Sequence, residues 1–322
     1  MTRVLVTGAA GFIGSHLVEA LAAQGDEVVG VDNFDSFYPR AMKERNLAQV
    51  SQRSGFTFWE QDMLEVGALV PLLSPDTVIV HLAAKAGVRP SLADPVGYAH
   101  ANVTGTVAVL EAARQAGVSR FVFGSSSSVY GDSTPVPFRE DAVATVPVSP
   151  YAATKRAGEL FLSSVAPIYG LRAASLRFFT VYGPRQRPDL AIHAFTRKMV
   201  EGRTLTLFGD GTQARDYTFC DDIIAGVLAS VAWTATAPVG VETFNLGGNR
   251  SIPTEAMVRE IAAALGLKPK IEWAPMQPGD VQRTAADLTK SGAVLGYAPK
   301  VPFAEGIRRF TRWFREAYGR AD

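Results

Sequence analysis

The sequence is poor in the features that mark secreted, membrane-spanning and nucleic-acid-binding proteins. Its 322 residues include one cysteine, Cys220, so an internal disulfide is impossible. No apolar run approaches the roughly 20 residues that a helix needs to cross a bilayer. The 32 basic and 31 acidic residues nearly cancel, which removes the electrostatic basis for binding nucleic acid or an anionic membrane.

Two further absences narrow the class of protein. The segment MTRVLVTGAAGFIG enters a predicted strand at once and lacks the layout of a signal peptide. With the low cysteine content, this predicts a soluble cytoplasmic protein, in which Cys220 is a buried packing residue. The histidines lack the spacing of metal ligands, so no metal site is predicted; they are His16, His81, His100 and His193.

The first half of the chain alternates between predicted strands and helices. The strands are RVLVT, EVVGVD, FTFWEQD, DTVIVHLA and RFVFG, and the patterns between and after them are helical. This alternation predicts an α/β fold, a doubly wound parallel-sheet Rossmann domain. After residue 180 the regularity breaks, although ETFNLG resembles a sheet strand again. We predict a nucleotide-binding domain over 1–180 plus roughly 217–247, and a smaller α/β substrate-binding domain over 181–216 and 248–322.

A glycine motif joins the first strand to the first helix. VTGAAGFIGSHL carries Gly8, Gly11 and Gly14, whose missing side chains allow the backbone to approach a pyrophosphate at a helix N-terminus. Asp32 ends the second strand, where an acid bonds ribose hydroxyls and repels a 2′-phosphate. The motif therefore predicts NAD rather than NADP, against the alternative of a tight turn without a ligand. Asp62 either bonds the adenine amino group or caps a strand.

A second motif predicts the chemistry. SPYAATKRAGE places Tyr151 and Lys155 four residues apart, on one face of a helix. A free phenol has a pKa near ~10, and a nearby ammonium and the positive nicotinamide ring favour the phenolate. Tyr151 would then accept a proton from a substrate alcohol. The alternative is a surface helix without a catalytic role.

These motifs resemble the extended short-chain dehydrogenase/reductases, in the branch of sugar-nucleotide epimerases and dehydratases. The resemblance covers essentially the whole chain and rests on TGAAGFIGSH, HLAA, SSSSVYG, YAATK, LRFFTVYGP, ARDYTFCDD and NLGG. It implies that Ser126 bonds the reacting hydroxyl and that Tyr151, not Tyr130, is the base. The predicted cofactor contacts are Gly8, Gly11, Phe12, Ile13, Gly14, Asp32, Asn33, Asp62, Met63, Leu82, Ala83, Ala84, Asn102, Tyr151 and Lys155.

The serine run indicates which reaction of this branch the chain performs. Relatives that eliminate water or decarboxylate carry Asp or Glu before V-Y-G, whereas this chain has Ser127 and Ser128 there. The resemblance therefore implies epimerisation through a 4-keto sugar. DNFDSFYPRAMKERNL, HLAAKAGVRPSL, RFFTVYGPRQRPDLAIHAF and QPGDVQRTAADL resemble UDP-glucuronate 4-epimerases in particular. Thr180 stands where enzymes acting on UDP-glucose usually have Asn.

A uronate substrate suggests a second role for the serines. Oxidation of glucuronate at C4 gives a β-keto acid that loses carbon dioxide easily. The neutral donors Ser126, Ser127 and Ser128 would hold its carboxylate away from the geometry for this loss. The alternative is that Ser127 and Ser128 only cap the strand end.

Other predicted substrate contacts suit the rest of a UDP-sugar. They are Phe178 and Thr180, Arg187 for the carboxylate or a phosphate, Arg215, Arg283 and, in the same region, Arg89 for the pyrophosphate, and Phe208 for uracil. Each arginine has the alternative of a solvated or ion-paired surface role, and Phe208 that of core packing. Lys85 replaces a frequent Gln of these epimerases and either adds charge near the cofactor or points to solvent.

Two other functions remain open from the sequence. One is the same chemistry on a neutral sugar, UDP-glucose or its N-acetyl form, since pocket shape decides between sugars. The other is a non-catalytic NAD sensor, which the presence of Tyr151 and Lys155 disfavours. The resemblance also implies a homodimer, with the helices around 96–117 and 151–169 pairing into a four-helix bundle.

Overall fold

The structure is a computed structural model that describes residues 1–143, 146–275 and 282–319. The strands are β1 (Arg3–Thr7), β2 (Glu27–Asp32), β3 (Phe56–Glu60), β4 (Val78–His81), β5 (Arg120–Ser126), β6 (Arg172–Phe178), β7 (Thr180–Tyr182), β8 (Leu205–Phe208), β9 (Ala214–Phe219), β10 (Gly240–Leu246), β11 (Ser251–Pro253) and β12 (Ile271–Ala274). The α-helices are α1 (Phe12–Ala23), α2 (Arg40–Leu47), α3 (Val66–Leu69), α4 (Val88–Ala93), α5 (Pro95–Ala99), α6 (Gly105–Gln115), α7 (Pro150–Tyr169), α8 (Ala191–Val200), α9 (Cys220–Trp233), α10 (Thr254–Leu265), α11 (Thr289–Leu295) and α12 (Phe303–Tyr318).

Seven strands form one parallel sheet in the order β10-β6-β5-β4-β1-β2-β3. Alternate side chains of β1 enter opposite cores: Val4 and Val6 pack with α1 and α9, and Leu5 packs with α6 and α7. Helices therefore cover both faces, which confirms the predicted doubly wound α/β fold. The strand order reverses between β1 and β4, where such sheets form a crevice at their carboxyl ends.

Two small sheets lie beyond the seven-stranded one. One has the order β11-β9-β7, and the other pairs β12 with β8. Strand β10 returns to the large sheet and pairs with β6, so Leu246 lies beside Phe178. The division into two domains stays a prediction. None of the helices in the described ranges is long and apolar enough to span a membrane.

One predicted helix is interrupted. The helical pattern over 96–117 becomes α5, a π-helical turn at His100–Thr104, and α6. The turn contains Asn102, whose buried amide donates to the carbonyl of Lys85 at 2.8 Å and to the hydroxyl of Thr154 at 3.0 Å. Single π turns occur frequently at functional sites. Here the turn ties the loop after β4 to helix α7.

Candidate active site

The glycine turn closes tightly before helix α1. Gly8 has a φ of +72°, and a Cβ there would lie 2.8 Å from the backbone nitrogen of Ala83. A Cβ on Gly14 would lie 2.0 Å from the carbonyl oxygen of Gly8. Gly11 caps the helix without a side-chain hydrogen bond, so the first N–H groups of α1 remain available to a ligand. The turn therefore fits the pyrophosphate of a dinucleotide.

Asp32 lies at the end of β2 beside this turn and is 7% exposed. Its carboxylate accepts hydrogen bonds from the backbone of Phe34 at 2.8 Å and of Ala10 at 3.2 Å. Lys43 of α2 places its Nζ 3.3 Å from the same carboxylate, and both side chains are buried. This cation lies at the predicted ribose position, and no local sequence signal identifies it.

The glycine turn, the serine run and α7 surround one cavity of about 460 Å³. Most of the predicted residues line it: Gly8, Gly11, Phe12, Ile13, Gly14, Asp32, Asn33, Met63, Leu82, Ala83, Ala84, Ser126, Ser127, Ser128, Tyr151, Lys155, Phe178, Thr180, Arg187 and Arg215. The lining does not include Asp62, Arg89, Asn102, Phe208 and Arg283. The cavity thus brings the two predicted motifs together, although they are more than a hundred residues apart.

Two predicted cofactor contacts support the lining from behind it. Asp62 accepts from the backbone of Leu64 at 2.9 Å and from Asn33 at 2.8 Å, as a strand-end cap does. Asn102 accepts from the backbone of Lys85 at 2.8 Å and donates to two other groups. The polar atoms of Asp62 and Asn102 thus bond to protein groups, and neither residue lines the cavity. Their direct contacts to a cofactor remain predictions.

Helix α7 presents Tyr151 and Lys155 to the cavity. Ser149 caps the helix by accepting from the backbone of Ala152 at 3.1 Å, and Pro150 occupies its first turn. Lys155 is 5% exposed and donates from Nζ to the carbonyl of Gly124 on β5 at 2.7 Å. The tyrosine and lysine therefore face the same strand end as the serine run.

The electrostatics of this pair differ from the simple expectation. Burial raises the pKa of Tyr151, while a hydrogen bond with Ser126 and the charge of Arg187 act to lower it. Burial also lowers the pKa of Lys155 to about 8, with the charge of Glu159 acting in the opposite direction. Burial thus outweighs these opposing contributions in the ligand-free protein, because it removes water from both side chains.

The serine run divides into residues with different partners. Ser125 donates to the buried carboxylate of Glu159 at 2.7 Å. Ser126 accepts from the backbone of Ser128 at 3.1 Å, caps the short 3₁₀ turn over Ser127–Tyr130, and donates to the Ser128 hydroxyl at 3.1 Å. The strand end is therefore capped by Ser126 rather than by Ser127 or Ser128. The side chains of Ser126 to Ser128 all reach the cavity wall.

Arg187 lines the cavity together with Tyr151. It pairs with Asp189 at 2.9 Å, and its guanidinium lies 5.2 Å from the centre of the Phe37 ring. Its positive charge acts to lower the pKa values of Tyr151, Tyr38 and Tyr98. Arg187 is thus ion-paired and also faces the cavity, a combination that the sequence treated as alternatives.

The remaining predicted substrate residues are Arg215, which belongs to the cavity lining, and Arg89, Phe208 and Arg283, which do not. Arg215 lines the cavity, whereas Arg283 is exposed and donates to Ser251 at 3.1 Å. The guanidinium of Arg89 lies over the Phe208 ring, 5.0 Å from its centre. One face of Phe208 is therefore covered by Arg89, and the ring lies outside the cavity lining.

Lys85 takes neither of its two predicted positions alone. It lines the cavity, and its Nζ pairs with Asp94 at 3.0 Å. Asp94 in turn caps α5 by accepting from the backbone of Gly97 at 2.9 Å. Its charge is therefore partly neutralised near the cofactor end of the cavity.

Among the described residues, folding brings together three side chains of the kinds that bind metal ions, although the sequence does not suggest such a cluster. Ligand atoms of His16, Cys220 and Asp221 lie within 4.8 Å of one another. The partners of these groups are protein atoms: Nε2 of His16 lies 2.9 Å from the carbonyl of Pro184, and Asp221 pairs with Arg309 at 2.6 Å. Cys220 is buried, as predicted. The expectation that the protein needs no metal stays a prediction.

Several residues of the cavity wall were not predicted from the sequence. They include Phe37 and Tyr38 in the loop before α2, Lys43 of α2, Gln61 and Thr284. DNFDSFYPRAMKERNL drew attention only by its resemblance, because an irregular loop carries no periodic signal. Thr284 lies next to the predicted Arg283 but has no motif of its own.

Comparison with known proteins is consistent with this geometry. Residues 4–247 match the model of the NAD dependent epimerase/dehydratase family, and the chain belongs to that family. It is 39% identical over 319 residues to UDP-glucuronate 4-epimerase of Thermodesulfobacterium geofontis, a match that covers 98% of this chain and 97% of the relative. The cofactor of this family is NAD, as predicted from Asp32 and the glycine turn.

Solved structures with bound sugar nucleotides have the same fold. UDP-glucuronic acid 4-epimerase from Bacillus cereus, in complex with UDP-glucuronic acid and NAD, superimposes with a TM-score of 0.92 at 35% identity, covering 98% of this chain and 100% of that one. UDP-glucose 4-epimerase of Thermotoga maritima, with UDP-glucose, gives a TM-score of 0.87 at 32% identity, covering 98% and 99%. The fold is therefore shared by enzymes for acidic and neutral sugars.

Proposed function

We propose that the protein catalyses NAD-dependent C4 epimerisation of a UDP-sugar, converting UDP-glucuronate to UDP-galacturonate and back. One observation carries the proposal: Tyr151, Ser126 and Arg187 meet in a single cavity that continues from the glycine turn, and Ser126 and Arg187 both act to lower the pKa of Tyr151. The similarity to UDP-glucuronate 4-epimerases over almost the whole chain supports it.

The cofactor end of the cavity would hold the dinucleotide. The open N–H groups of α1 and the glycine turn suit its pyrophosphate, and Asp32 with Lys43 suits a ribose. When bound, NAD supplies a reversible acceptor for the hydrogen on C4 and adds a positive ring beside Tyr151.

Tyr151 is the proposed base at the sugar end. Its phenol oxygen takes the proton of the C4 hydroxyl. Ser126 hydrogen-bonds the oxygen of that C4 hydroxyl and orients the alcohol toward Tyr151. Rotation of the 4-keto sugar within the cavity presents its other face, and Tyr151 then returns the proton. Arg187 and the charge on Lys155 favour the phenolate against the effect of burial.

The serine run is the proposed holder of the uronate carboxylate. Ser127 and Ser128 follow Ser126 on a 3₁₀ turn, so three neutral donors face the sugar end of the cavity. Among the described lining residues, the carboxylates are Asp32, which ends β2, and Asp35 in the loop after it. Because the serine run itself carries no acid, it does not supply the extra acid and base that elimination needs.

The part of the cavity lined by Arg215 and Thr284 suits the nucleotide part of the substrate. Arg215 faces it, and Thr284 joins it from a segment that also carries Arg283. We assign Arg215 and Arg283 to the diphosphate, whose oxygens match a guanidinium fork. Arg89 and Phe208 form a stacked pair outside the cavity lining. For uracil to stack on the face of Phe208 that Arg89 covers, the guanidinium of Arg89 would have to move away.

A neutral UDP-sugar is the second candidate substrate. It is favoured by the likeness to UDP-glucose 4-epimerase of Thermotoga maritima. Thr180 and Arg187 at the sugar end favour the uronate, since a hydroxyl and a cation both suit a carboxylate. An NAD sensor without catalysis is disfavoured, because Tyr151, Lys155 and Ser126, which line the cavity together, would then have no chemical role.

A homodimer is also proposed. Helices α5, α6 and α7 expose large apolar side chains, and these are Val96, Val107, Leu160, Phe161 and Ile168. Exposed apolar patches of this kind are typical of protein interfaces. A pair of such faces would form the predicted four-helix bundle. A cytoplasmic location stays a prediction from the sequence.

The first experiment offers the purified protein UDP-glucuronate and UDP-glucose separately, with NAD, and follows the products by NMR or chromatography. We expect rapid formation of UDP-galacturonate, with little UDP-galactose and little UDP-pentose. UDP-galactose with untouched uronate would overturn the substrate but keep the reaction. Turnover of neither substrate would contradict UDP-glucuronate and UDP-glucose and would make the N-acetyl form the next substrate to test.

A further inference from the structure

Helix α7 carries a third buried polar residue on the stripe formed by Tyr151 and Lys155. Glu159 follows Lys155 by four residues, so their side chains lie one turn apart on the same face. Glu159 is 3% exposed and is not part of the cavity lining. The proposed proton transfer therefore does not use it directly.

Glu159 and Lys155 bond to two successive residues of strand β5. Lys155 Nζ donates to the carbonyl of Gly124, and Ser125 Oγ donates to Glu159 Oε1, each at 2.7 Å. The next residue of the strand is Ser126. Two adjacent bonds of this kind set both the height and the rotation of α7 against β5. They therefore set the distance between Ser126 and the base on α7.

Glu159 is held by charges from two elements. Arg177 on β6 donates to both carboxylate oxygens, at 2.9 and 3.0 Å, and Arg156 on α7 donates at 2.8 Å. The guanidinium of Arg177 is itself covered by the Tyr130 ring, 4.7 Å from its centre. Burial acts to raise the pKa of Glu159, but these bonds and the one from Ser125 hold it below its ordinary value.

Stability alone is a weak reason for such a network. Apolar residues of similar volume often replace a buried ion pair without loss of stability. The network, in contrast, is directional. The guanidinium of Arg177 and the hydroxyl of Ser125 both donate to the carboxylate of Glu159, and together these bonds fix its position and orientation. The charge of Glu159 also opposes the effect of burial on Lys155.

The geometry points to Glu159 as a positioning residue that acts through Ser125 to keep Ser126 in register with Tyr151, and that places its negative charge one helical turn from Lys155. This inference rests on the proposed function, since it takes Tyr151, Lys155 and Ser126 as the groups that move the proton.

The first test removes the bond to β5 and leaves the ion pair intact. In Ser125→Ala we expect kcat for UDP-glucuronate to fall about tenfold with KM within about twofold, because displaced groups slow the chemical step. The matched control is Arg156→Gln, which removes another donor to Glu159 from a side chain that is 32% exposed. Its kcat should stay within about twofold of the wild type. A wild-type kcat in Ser125→Ala would overturn the positioning role.

The second test removes the charge and keeps an acceptor for Ser125. In Glu159→Gln, Lys155 loses the neighbouring charge that favours its protonated form. The alkaline limb of the kcat–pH profile should then move down by about one pH unit. An unmoved limb would overturn the electrostatic part. If Glu159→Gln fails to fold because Arg177 is left unpaired, Glu159→Gln with Arg177→Met removes both charges and is measured in the same way.

A third measurement separates this inference from the proposed function. The pKa of Lys155 is read by NMR of protein labelled with ¹³Cε-lysine, loaded with NAD and without a sugar, with Lys155→Met for assignment. A lower pKa in Glu159→Gln than in the wild type supports the inference even if UDP-glucuronate is not the substrate. Equal values would overturn it, whatever the enzyme turns over.

Discussion

The cofactor end and the substrate end of the cavity differ in how far apart their residues lie in the chain. The glycine turn is contained in one strand–turn–helix segment, and Asp32 follows on the next strand. Arg215, which we assign to the substrate end, is followed by Asp216, a fully buried residue. Its carboxylate accepts from the backbone of Gly248 at 2.6 Å and of Ala286 at 2.9 Å, 32 and 70 residues away.

The two ends of the cavity should therefore respond to different substitutions. A change at the cofactor end acts on a short segment whose geometry depends on its own backbone. A change at Asp216 acts on three segments at once: strand β9 with Arg215, the turn after β10, and the segment after residue 282 with Arg283 and Thr284. We therefore expect local damage to affect the cofactor and long-range damage to affect the sugar nucleotide.

The largest effect is expected at the point where the two ends meet. Tyr151→Phe removes the proposed base and should lower kcat about a thousandfold. NAD affinity should stay close to that of the wild type, because the glycine turn is untouched. The measurements are the product assay and a fluorescence titration with NAD. Activity within tenfold of the wild type would assign the proton transfer to another group.

Breaking the cofactor end should cost NAD binding. In Gly14→Ala the new methyl group would meet the carbonyl oxygen of Gly8, whose backbone has no room to retreat. We expect NAD affinity to fall about a hundredfold or more, since the turn must open. Gly67→Ala is the matched control, because a Cβ there has nothing within 4 Å. Equal NAD affinities for the two variants would contradict the role of the turn.

Breaking the substrate end should spare NAD. Asp216→Asn replaces one acceptor oxygen with a donor that faces a backbone N–H group. We expect KM for the UDP-sugar to rise about tenfold, because the segments with Arg215 and Thr284 separate. NAD affinity is measured on the same samples and should not change. A parallel loss of both affinities would show that the two ends are not independent.

The titration of Asp216 gives a smaller effect on stability. Burial raises its pKa to about 6, above the ordinary value of 3.8. The native state therefore binds the proton more tightly than the unfolded state, and protonation stabilises it as the pH falls through 6. Between pH 6.5 and 5 the wild type should gain about 1 kcal/mol relative to Asp216→Asn. Denaturant unfolding at the two pH values measures this, and parallel changes would rule it out.

The smallest effect concerns the products. Ser127→Ala with Ser128→Ala removes two neutral donors but leaves Ser126 and Tyr151 in place. We expect epimerisation to continue with a several-fold larger share of UDP-pentose, since a less restrained carboxylate leaves the 4-keto sugar more readily. NMR of the product mixture gives this share. An unchanged share would limit the two serines to the 3₁₀ turn.

Local signals predicted most of the fold and many residues of the site. The glycines with a strand before and a helix after them, and Tyr151 with Lys155 at a spacing of four, are patterns within one segment. Asn102 and Asp62 illustrate the limit: the sequence offered Asn102 for the cofactor and Asp62 for the cofactor or a strand-end cap, but it could not name the protein groups that their polar atoms contact. Which partner a polar side chain finds depends on loops that no periodicity describes.

Local patterns were enough to predict the parallel sheet, the glycine turn and the pairing of Tyr151 with Lys155, because each follows from backbone geometry and residue spacing within one segment. Tertiary structure alone decided that Lys43 lies against Asp32, that Glu159 anchors α7 to Ser125, and that Asp216 joins three segments. It also decided the direction of the pKa changes at Tyr151 and Lys155. The physical reason is that loss of water and proximity of charge arise only when distant segments pack together.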